Sequence, residues 1–133
     1  MHDASQQNVP ATGNPVAGRR TAAAIGAVFC ACAVGLGAWS AHAAPELARA
    51  RLDTAVLYLF LHGMALALFA LRQQGILSAL SLACWLIGCV LFCGSLVAAA
   101  LWNAPTALAP FGGMAFMLGW LVQAVVALRR KQR

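Results

Sequence analysis

The sequence predicts an all-α membrane protein, an antiparallel bundle of four transmembrane helices with both termini in the cytoplasm. Of its 133 residues, 62% are hydrophobic and only 9% are charged, whereas soluble domains average about 45–50% and 25%. The apolar residues form long runs, each near the roughly 20 residues that span a bilayer as a helix. These runs lack the alternating polarity of barrel strands, so helices are the spanning structure that they predict.

The elements follow one another with short connections. Residues 1–18 are rich in Gln, Asn, Pro and Gly, which predicts a disordered cytoplasmic tail. The transmembrane domain is predicted at 19–133, with helices at 21–41, 54–71, 76–102 and 106–128. The links at 72–75 and 103–105 are short, so the helices that they join should be antiparallel neighbours. The longer link at 43–53 passes through Pro45, and its charge spacing predicts a short interfacial helix.

Basic residues cluster at the ends of the apolar runs and predict the orientation. With the N-terminus inside, the cytoplasmic side holds seven of the nine Lys and Arg residues: Arg19, Arg20, Arg72, Arg129, Arg130, Lys131 and Arg133. The other side holds Arg49 and Arg51, which Glu46 and Asp53 offset. Because positive residues are retained in the cytoplasm, both termini should lie there. The net charge of +6 is thus explained by topology and the lipid bilayer, and no nucleic-acid partner is expected.

The first run admits a second interpretation. Arg19 and Arg20 precede an apolar stretch that ends at Ala41-His42-Ala43, a pattern typical of a cleaved secretory signal. The paired arginines also occur in twin-arginine signals, although Thr-Ala-Ala follows them here in place of a Phe-Leu-Lys-like continuation. A cleaved leader and a retained first helix are both open on the pattern alone.

No catalytic, cofactor or metal site is predicted. The five cysteines all lie inside apolar runs, no pair has the C-x-x-C spacing, and their number is odd, so they are expected to pack as small apolar residues: Cys30, Cys32, Cys84, Cys89 and Cys93. The sequence offers no nucleophile with a base, no paired carboxylates and no phosphate loop, which argues against an enzyme.

A candidate intramembrane polar cluster lies on the second helix. Thr54, Tyr58 and His62 recur at i, i+4 and i+8 and so share one face, and His62 falls near the middle of the span. An ionisable residue at that depth is a candidate functional site. In the structural interpretation, neutral His62 donates to a hydroxyl or a backbone carbonyl on a neighbouring helix, with Ser95 on the third helix as the natural partner; the alternative is proton transfer or ligand contact. His42 lies at the outer interface, too far along the helical rise to share a metal ion with His62.

Small residues predict how the helices pack, since close backbone approach is a main source of helix association in lipid. Three sets stand out: Ala23, Ala27, Ala31 and Gly35; Ser81, Cys84, Gly88 and Ser95; and Gly112 and Gly119. We expect intramolecular packing through them, with a dimer face as the alternative. Pro110-Phe111-Gly112-Gly113 fits the start of a helix better than an unwound transporter-like entrance. Trp39 and Trp102 fit an aromatic belt, while Trp85 and Trp120 are expected to pack more deeply.

Several motifs in order resemble one known family. They are Gly37-Ala38-Trp39-Ser40-Ala41-His42; Thr54-Ala55-Val56-Leu57-Tyr58 with His62 four residues later; Leu91-Phe92-Cys93-Gly94-Ser95-Leu96; and Pro110-Phe111-Gly112-Gly113-Met114-Ala115-Phe116 running to Gly119-Trp120. Together they resemble the YgdD and transmembrane protein 256 family, also called domain of unknown function 423. The resemblance implies a small four-helix inner-membrane protein that keeps its first helix, and it supplies no activity.

The chain departs from the family pattern at a few positions. Leu57 stands where the family often has an acidic residue, and Cys93 and Ala109 stand where Ser or Thr is common. Any proton-handling role that required the acid would be lost here. We therefore expect a non-enzymatic structural or accessory component that contacts a membrane-protein partner or a second copy. The alternative is a small channel or carrier that uses the polar stripe, which a wet cavity beside His62 would favour over a dry interior.

Overall fold

A computed structural model of the chain describes residues 15–130. Four helices make up this part of the chain: α1 (Pro15–His42), α2 (Glu46–Arg72), α3 (Ile76–Trp102) and α4 (Ala109–Arg130). All four are long and apolar enough to cross a membrane, and no strand occurs within the described residues. The predicted all-α, four-helix transmembrane fold is confirmed.

The first two helices begin earlier than the sequence predicts. α1 starts at Pro15, a residue suited to a first helical turn because its missing N–H needs no partner there. Residues 15–18 are therefore helical, and residues 1–14 of the predicted tail lie outside the described residues. α2 starts at Glu46, directly after Pro45. The predicted interfacial helix of the 43–53 link is thus wrong as a separate element, because residues 46–53 form the first turns of α2.

α3 contains a feature that no sequence pattern indicated. Its α-helical ladder is interrupted by a π-helical turn at Cys89–Cys93 and resumes at Gly94. The helix ends at Asn103, whose φ of 53° is left-handed and suits the short polar side chain of Asn. α4 begins at Ala109 with Pro110 in its first turn, in agreement with the interpretation of that motif as a helix start.

The helices pack in chain order. α1 packs almost entirely on α2, α3 packs on both α2 and α4, and α4 packs mainly on α3 and meets α2 only through side chains such as Trp120. The part of α3 before the π-helical turn lies mainly against α4, and the part after it lies mainly against α2. Leu52 and Leu66 of α2 and Trp85 of α3 are completely buried. α1 and α4 therefore lie at the two edges of the bundle, with α2 and α3 between them.

α1 and α2 make their closest approach at two glycines. A methyl group added at Gly26 would lie 2.5 Å from the Gly63 carbonyl oxygen and 2.6 Å from the Ala67 nitrogen. Of the predicted row, Ala23 packs against the core. The prediction is wrong for Ala27, Ala31 and Gly35, because all three are exposed and nothing lies within 4 Å of a methyl group built on Gly35. The helix is rotated so that the opposite face, with Gly26, meets α2.

On α4 the predicted small positions do permit close packing. A side chain at Gly112 would overlap the Phe92 backbone, and one at Gly119 would lie 2.6 Å from the Trp85 indole. Both glycines therefore let α4 approach α3.

Candidate functional site

His62 lies deep inside the membrane-spanning part of α2. It is 4% exposed, and at about 1.5 Å per residue it lies roughly 15 Å from Arg72 and 24 Å from Glu46 along the helix axis. No other described residue of the four spans places an imidazole within the bundle, since His42 is exposed at the end of α1. His62 is therefore the ionisable group around which a candidate site must be built.

Both imidazole nitrogens of His62 are engaged within the protein. Nδ1 lies 2.8 Å from the Tyr58 carbonyl oxygen one turn earlier, and the Trp120 indole Nε1 donates to Nε2 at 3.1 Å. A carbonyl can only accept and an indole N–H can only donate, so Nδ1 carries the proton and Nε2 supplies the lone pair. His62 is thus held as one neutral tautomer with no nitrogen left for a substrate or metal.

Three aromatic side chains surround the imidazole, and we call Tyr58, Phe116 and Trp120 the aromatic box. The Phe116 ring stacks on His62 with centroids 3.6 Å apart and planes at 18°. The Tyr58 ring is nearly parallel at 6.0 Å, and the Trp120 ring is tilted by 61° at 6.1 Å. The position of Phe116 depends on Gly88 of α3, where any side chain would overlap its ring.

The predicted polar cluster forms only in part. Tyr58 and His62 are adjacent, but the Thr54 hydroxyl donates to the Ala50 carbonyl of its own helix at 2.9 Å. Ser95 is buried, and its hydroxyl has no hydrogen-bond partner within residues 15–130. The expected bond between His62 and Ser95 is therefore wrong, and the partner on the neighbouring helix is Trp120.

Sequence reasoning missed the role of Trp120 as a donor. Deep packing was expected for it, whereas Trp120 is 45% exposed and its indole N–H, a group that usually finds an acceptor when buried, bonds to His62. An indole on α4 and an imidazole on α2 are complementary donor and acceptor types, but the sequence does not indicate which way α4 turns Trp120.

A groove runs between α2 and α4 beside the aromatic box. It has a volume of about 640 Å³ and is lined by aromatic, methionine and leucine side chains together with the edge of His62: Tyr58, His62, Phe92, Pro110, Gly113, Met114, Phe116, Met117, Trp120 and Leu121. Met114, Met117 and Leu121 are exposed on the outside of the bundle, so the groove opens toward lipid. It is an apolar surface recess rather than a wet path across the bundle.

Two further sets of polar contacts hold helix ends and interfaces. Ser40 donates to Asp53 Oδ1 at 2.6 Å, and Arg51 donates to the Ala99 carbonyl in the last turn of α3 at 3.4 Å. Between α3 and α4, the buried Ser81 hydroxyl lies 3.1 Å from the Gly119 carbonyl oxygen. These contacts join neighbouring helices and leave little polar capacity for a ligand. Within the described residues, no three His, Cys, Asp or Glu side chains form a metal-binding group.

The residues of the family motifs have different roles. Gly112, Gly119 and Trp120 make the contacts described above, which require those residue types. Gly37 and Gly113 make only ordinary contacts, and a methyl group on Gly94 would meet nothing within 4 Å. Ala41 and His42 are exposed at the end of α1, and Pro110 is exposed at the start of α4.

Comparison with known proteins identifies the family. The family model described as protein of unknown function (DUF423) matches residues 36–113. A UPF0382 membrane protein of Haemophilus influenzae is 36% identical over 120 residues, which cover 84% of this chain and 94% of that protein. A UPF0382 membrane protein of Staphylococcus epidermidis is 32% identical over 113 residues, with 79% and 93% covered. No solved structure matches the chain significantly. The chain is a multi-pass membrane protein that belongs to the DUF423 family.

Proposed function

We propose that this protein is a non-enzymatic structural component of a bacterial inner-membrane assembly, oriented with both termini in the cytoplasm. The distribution of charge supports the orientation. Arg19, Arg20, Arg72 and Arg129 lie at the end where the described part of the chain starts and stops, and positive residues are retained on the cytoplasmic side. At the opposite end Arg49 forms an ion pair with Glu46 at 3.4 Å.

The enclosure of His62 is the observation that carries the non-enzymatic, structural role. A proton carrier needs a ring nitrogen that can exchange its proton with a mobile partner. Here Tyr58 and Trp120 occupy both nitrogens, and Phe116 covers one ring face. The imidazole instead joins α2 to α4, a connection that contributes about 0.6 kcal/mol on average and up to 1.7 kcal/mol in membrane proteins.

The carboxylates also support a role without chemistry. Glu46 and Asp53 are the acidic residues within the described part of the chain, and both lie at the end opposite the termini. Asp53 accepts from Ser40 and Glu46 pairs with Arg49. Neither is placed near His62 to form an acid–base pair.

An accessory role follows from the incomplete coverage of α1. Only one side of α1 packs on α2, and the opposite side presents Ala27, Ala31 and Gly35. In lipid, a small-residue face allows another helix to approach closely. We therefore propose that a membrane-protein partner or a second copy packs on this side of α1.

The alternative of a small channel or carrier lacks comparable support. Such a protein would need a wet cavity at His62, whereas the groove beside this residue is lined by aromatic and methionine side chains and opens to lipid. We therefore rank it second.

Purification of the full chain in a mild detergent tests the accessory role. We expect the wild type to retain a partner or a second copy, measured by native mass and identification of bound proteins. Gly35→Leu should release it, because the substitution fills the exposed face of α1. Gly94→Leu is the matched control, since Gly94 is equally unobstructed but lies on α3. A partner retained by Gly35→Leu as by the wild type would contradict docking at this face.

Reconstitution into liposomes tests the structural role of His62 separately. We expect no proton flux above that of empty liposomes for the wild type and for His62→Phe, with both proteins folded by circular dichroism. A flux that His62→Phe abolishes without unfolding the bundle would overturn the proposal.

A further inference from the structure

A second cleft lies between the first turns of α1 and the first half of α3. It has a volume of about 600 Å³, within the range of about 300–1,000 Å³ typical of ligand sites. It exists because α1 packs on α2 and stays apart from α3 along this length. The cleft is separate from His62 and from the groove beside the aromatic box.

The mouth of the cleft is polar and positively charged. Arg19, Gln73, Gln74 and Gly75 line it where the chain turns from α2 into α3. The Arg19 guanidinium donates through Nη1 to the Gln73 carbonyl oxygen at 3.2 Å, which holds the cation at the mouth. The position is that of the membrane interface, since α3 enters its apolar span directly after Gly75.

The interior of the cleft is mainly apolar; Ser78 also lines it, and its hydroxyl donates to the Gln74 carbonyl oxygen at 3.3 Å. Its walls are built mainly from small and aliphatic side chains: Gly18, Ala22, Ile76, Ala79, Leu82, Ala83 and Leu86. From Ile76 to Leu86 the helix rises about 15 Å, which is half of a hydrocarbon core of about 30 Å. The cleft therefore extends from the interface through one leaflet.

Within residues 15–130, the charged side chains around the mouth are all basic. Arg20 and Arg72 lie at the same end, and no Asp or Glu lies there within residues 15–130. Such an end attracts anionic lipid headgroups by about 1 kcal/mol per basic residue. A polar, cationic mouth above a leaflet-deep apolar channel is complementary to an anion that carries a hydrocarbon chain.

We propose that this cleft binds an anionic glycerophospholipid, with its phosphate beside Arg19 and one acyl chain along Ala22, Ala79 and Ala83. A transmembrane helix of a partner does not fit, because a cylinder about 10 Å across and 15 Å long occupies roughly 1,200 Å³, twice the volume of the cleft. Free phosphate has no apolar part that could fill the channel, so the channel favours a lipid over inorganic phosphate. In this proposal, the lipid fills the cleft between α1 and α3.

Native mass spectrometry of the full chain tests this proposal. The protein is released from nanodiscs that contain equal amounts of phosphatidylglycerol and phosphatidylcholine with identical acyl chains. We expect phosphatidylglycerol to be retained preferentially, and Arg19→Gln to lower its retention about fivefold, the factor that corresponds to ~1 kcal/mol for one basic residue at the surface. Inorganic phosphate added to the same sample should not displace it.

Two matched controls separate a built site from general attraction. Arg20→Gln removes the neighbouring charge, which does not line the cleft, and should leave retention near the wild-type level. Ala79→Phe and Ala83→Phe fill the channel at exposed positions that the fold tolerates, and each should abolish retention. Leu80→Phe changes the exposed face next to the cleft and should not.

Three results would overturn the proposal. They are equal retention of the two lipids by the wild type, an equal loss in Arg19→Gln and Arg20→Gln, or full retention of phosphatidylglycerol by both folded phenylalanine variants. Thermal unfolding of each variant shows that the comparison is made between folded proteins.

Discussion

The two faces of α2 hold their neighbours by opposite means at adjacent residues. Gly63 faces α1. Because it has no side chain, the backbone of α2 comes into direct contact with the backbone of α1 at Gly26. His62 faces α4, and its large ring is held by a hydrogen bond from Trp120 and a stack with Phe116. In lipid, apolar burial drives little helix association. The α1–α2 contact therefore depends on glycines without side chains, and the α2–α4 contact depends on the hydrogen-bonding atoms of His62 and Trp120.

This difference determines how each interface responds to change. The glycine contact has rigid backbone on both sides, so an added atom cannot be accommodated by rotation of a side chain. The aromatic box consists of side chains on α2 and α4, which can adjust when one hydrogen bond is lost. We therefore expect steric substitutions at the α1–α2 interface to cost more than polar substitutions at the α2–α4 interface.

The largest expected effect is that of Gly26→Ala. The new methyl group would overlap the Gly63 carbonyl and the Ala67 nitrogen, and overpacking of this kind costs about 3 kcal/mol. The free energy of unfolding, measured by denaturant titration in mixed micelles, should fall by that amount. Gly94→Ala is the control and should be neutral, because its methyl group would meet nothing within 4 Å and the residue lies outside the proposed docking face of α1. Equal effects of the two substitutions would contradict the proposed contact.

An intermediate effect is expected for Trp120→Phe. The ring is kept but the N–H that donates to His62 Nε2 is lost, so the bundle should lose about 1 kcal/mol of unfolding free energy. The ¹⁵N chemical shift of His62 Nε2 should change as well, which a general loss of packing would not cause. Trp102→Phe is the control, since Trp102 is 74% exposed. An unchanged Nε2 shift in the first variant would show that the bond is not formed.

The smallest expected effect is that of Ser95→Ala. Its comparison with Ser81→Ala distinguishes the Ser81–Gly119 bond, which forms, from the His62–Ser95 bond, which only the sequence suggested. Ser95→Ala removes a buried hydroxyl without a partner in the described residues, so stability should stay equal or rise by up to about 1 kcal/mol. Ser81→Ala removes a hydroxyl that bonds the Gly119 carbonyl and should cost about 0.5–1 kcal/mol. A clear destabilisation by Ser95→Ala, accompanied by a change in the His62 spectrum, would restore the pairing first expected.

The membrane spans could be predicted because their apolar runs have the length of a bilayer. The rotation of each helix about its own axis could not be predicted. α1 carries small residues around much of its circumference, so the pattern could not distinguish the face of Gly26 from that of Ala27. The His62–Trp120 pair depends on the rotation of α4, and a helix that is apolar all round carries no signal for that rotation. The position of His62 along its helix follows from the helical rise alone, whereas the partner of its imidazole depends on how the neighbouring helices are rotated.

The π-helical turn at Cys89–Cys93 lets α3 pack on different neighbours before and after the turn. One additional residue in a turn rotates everything that follows by about 100° relative to an uninterrupted α-helix. The residues before the turn can then face α4, and those after it can face α2. One helix thereby packs against α4 in its first half and against α2 in its second half. Deletion of one residue from this turn would rotate the second half, and α3 could then keep only one of the two interfaces.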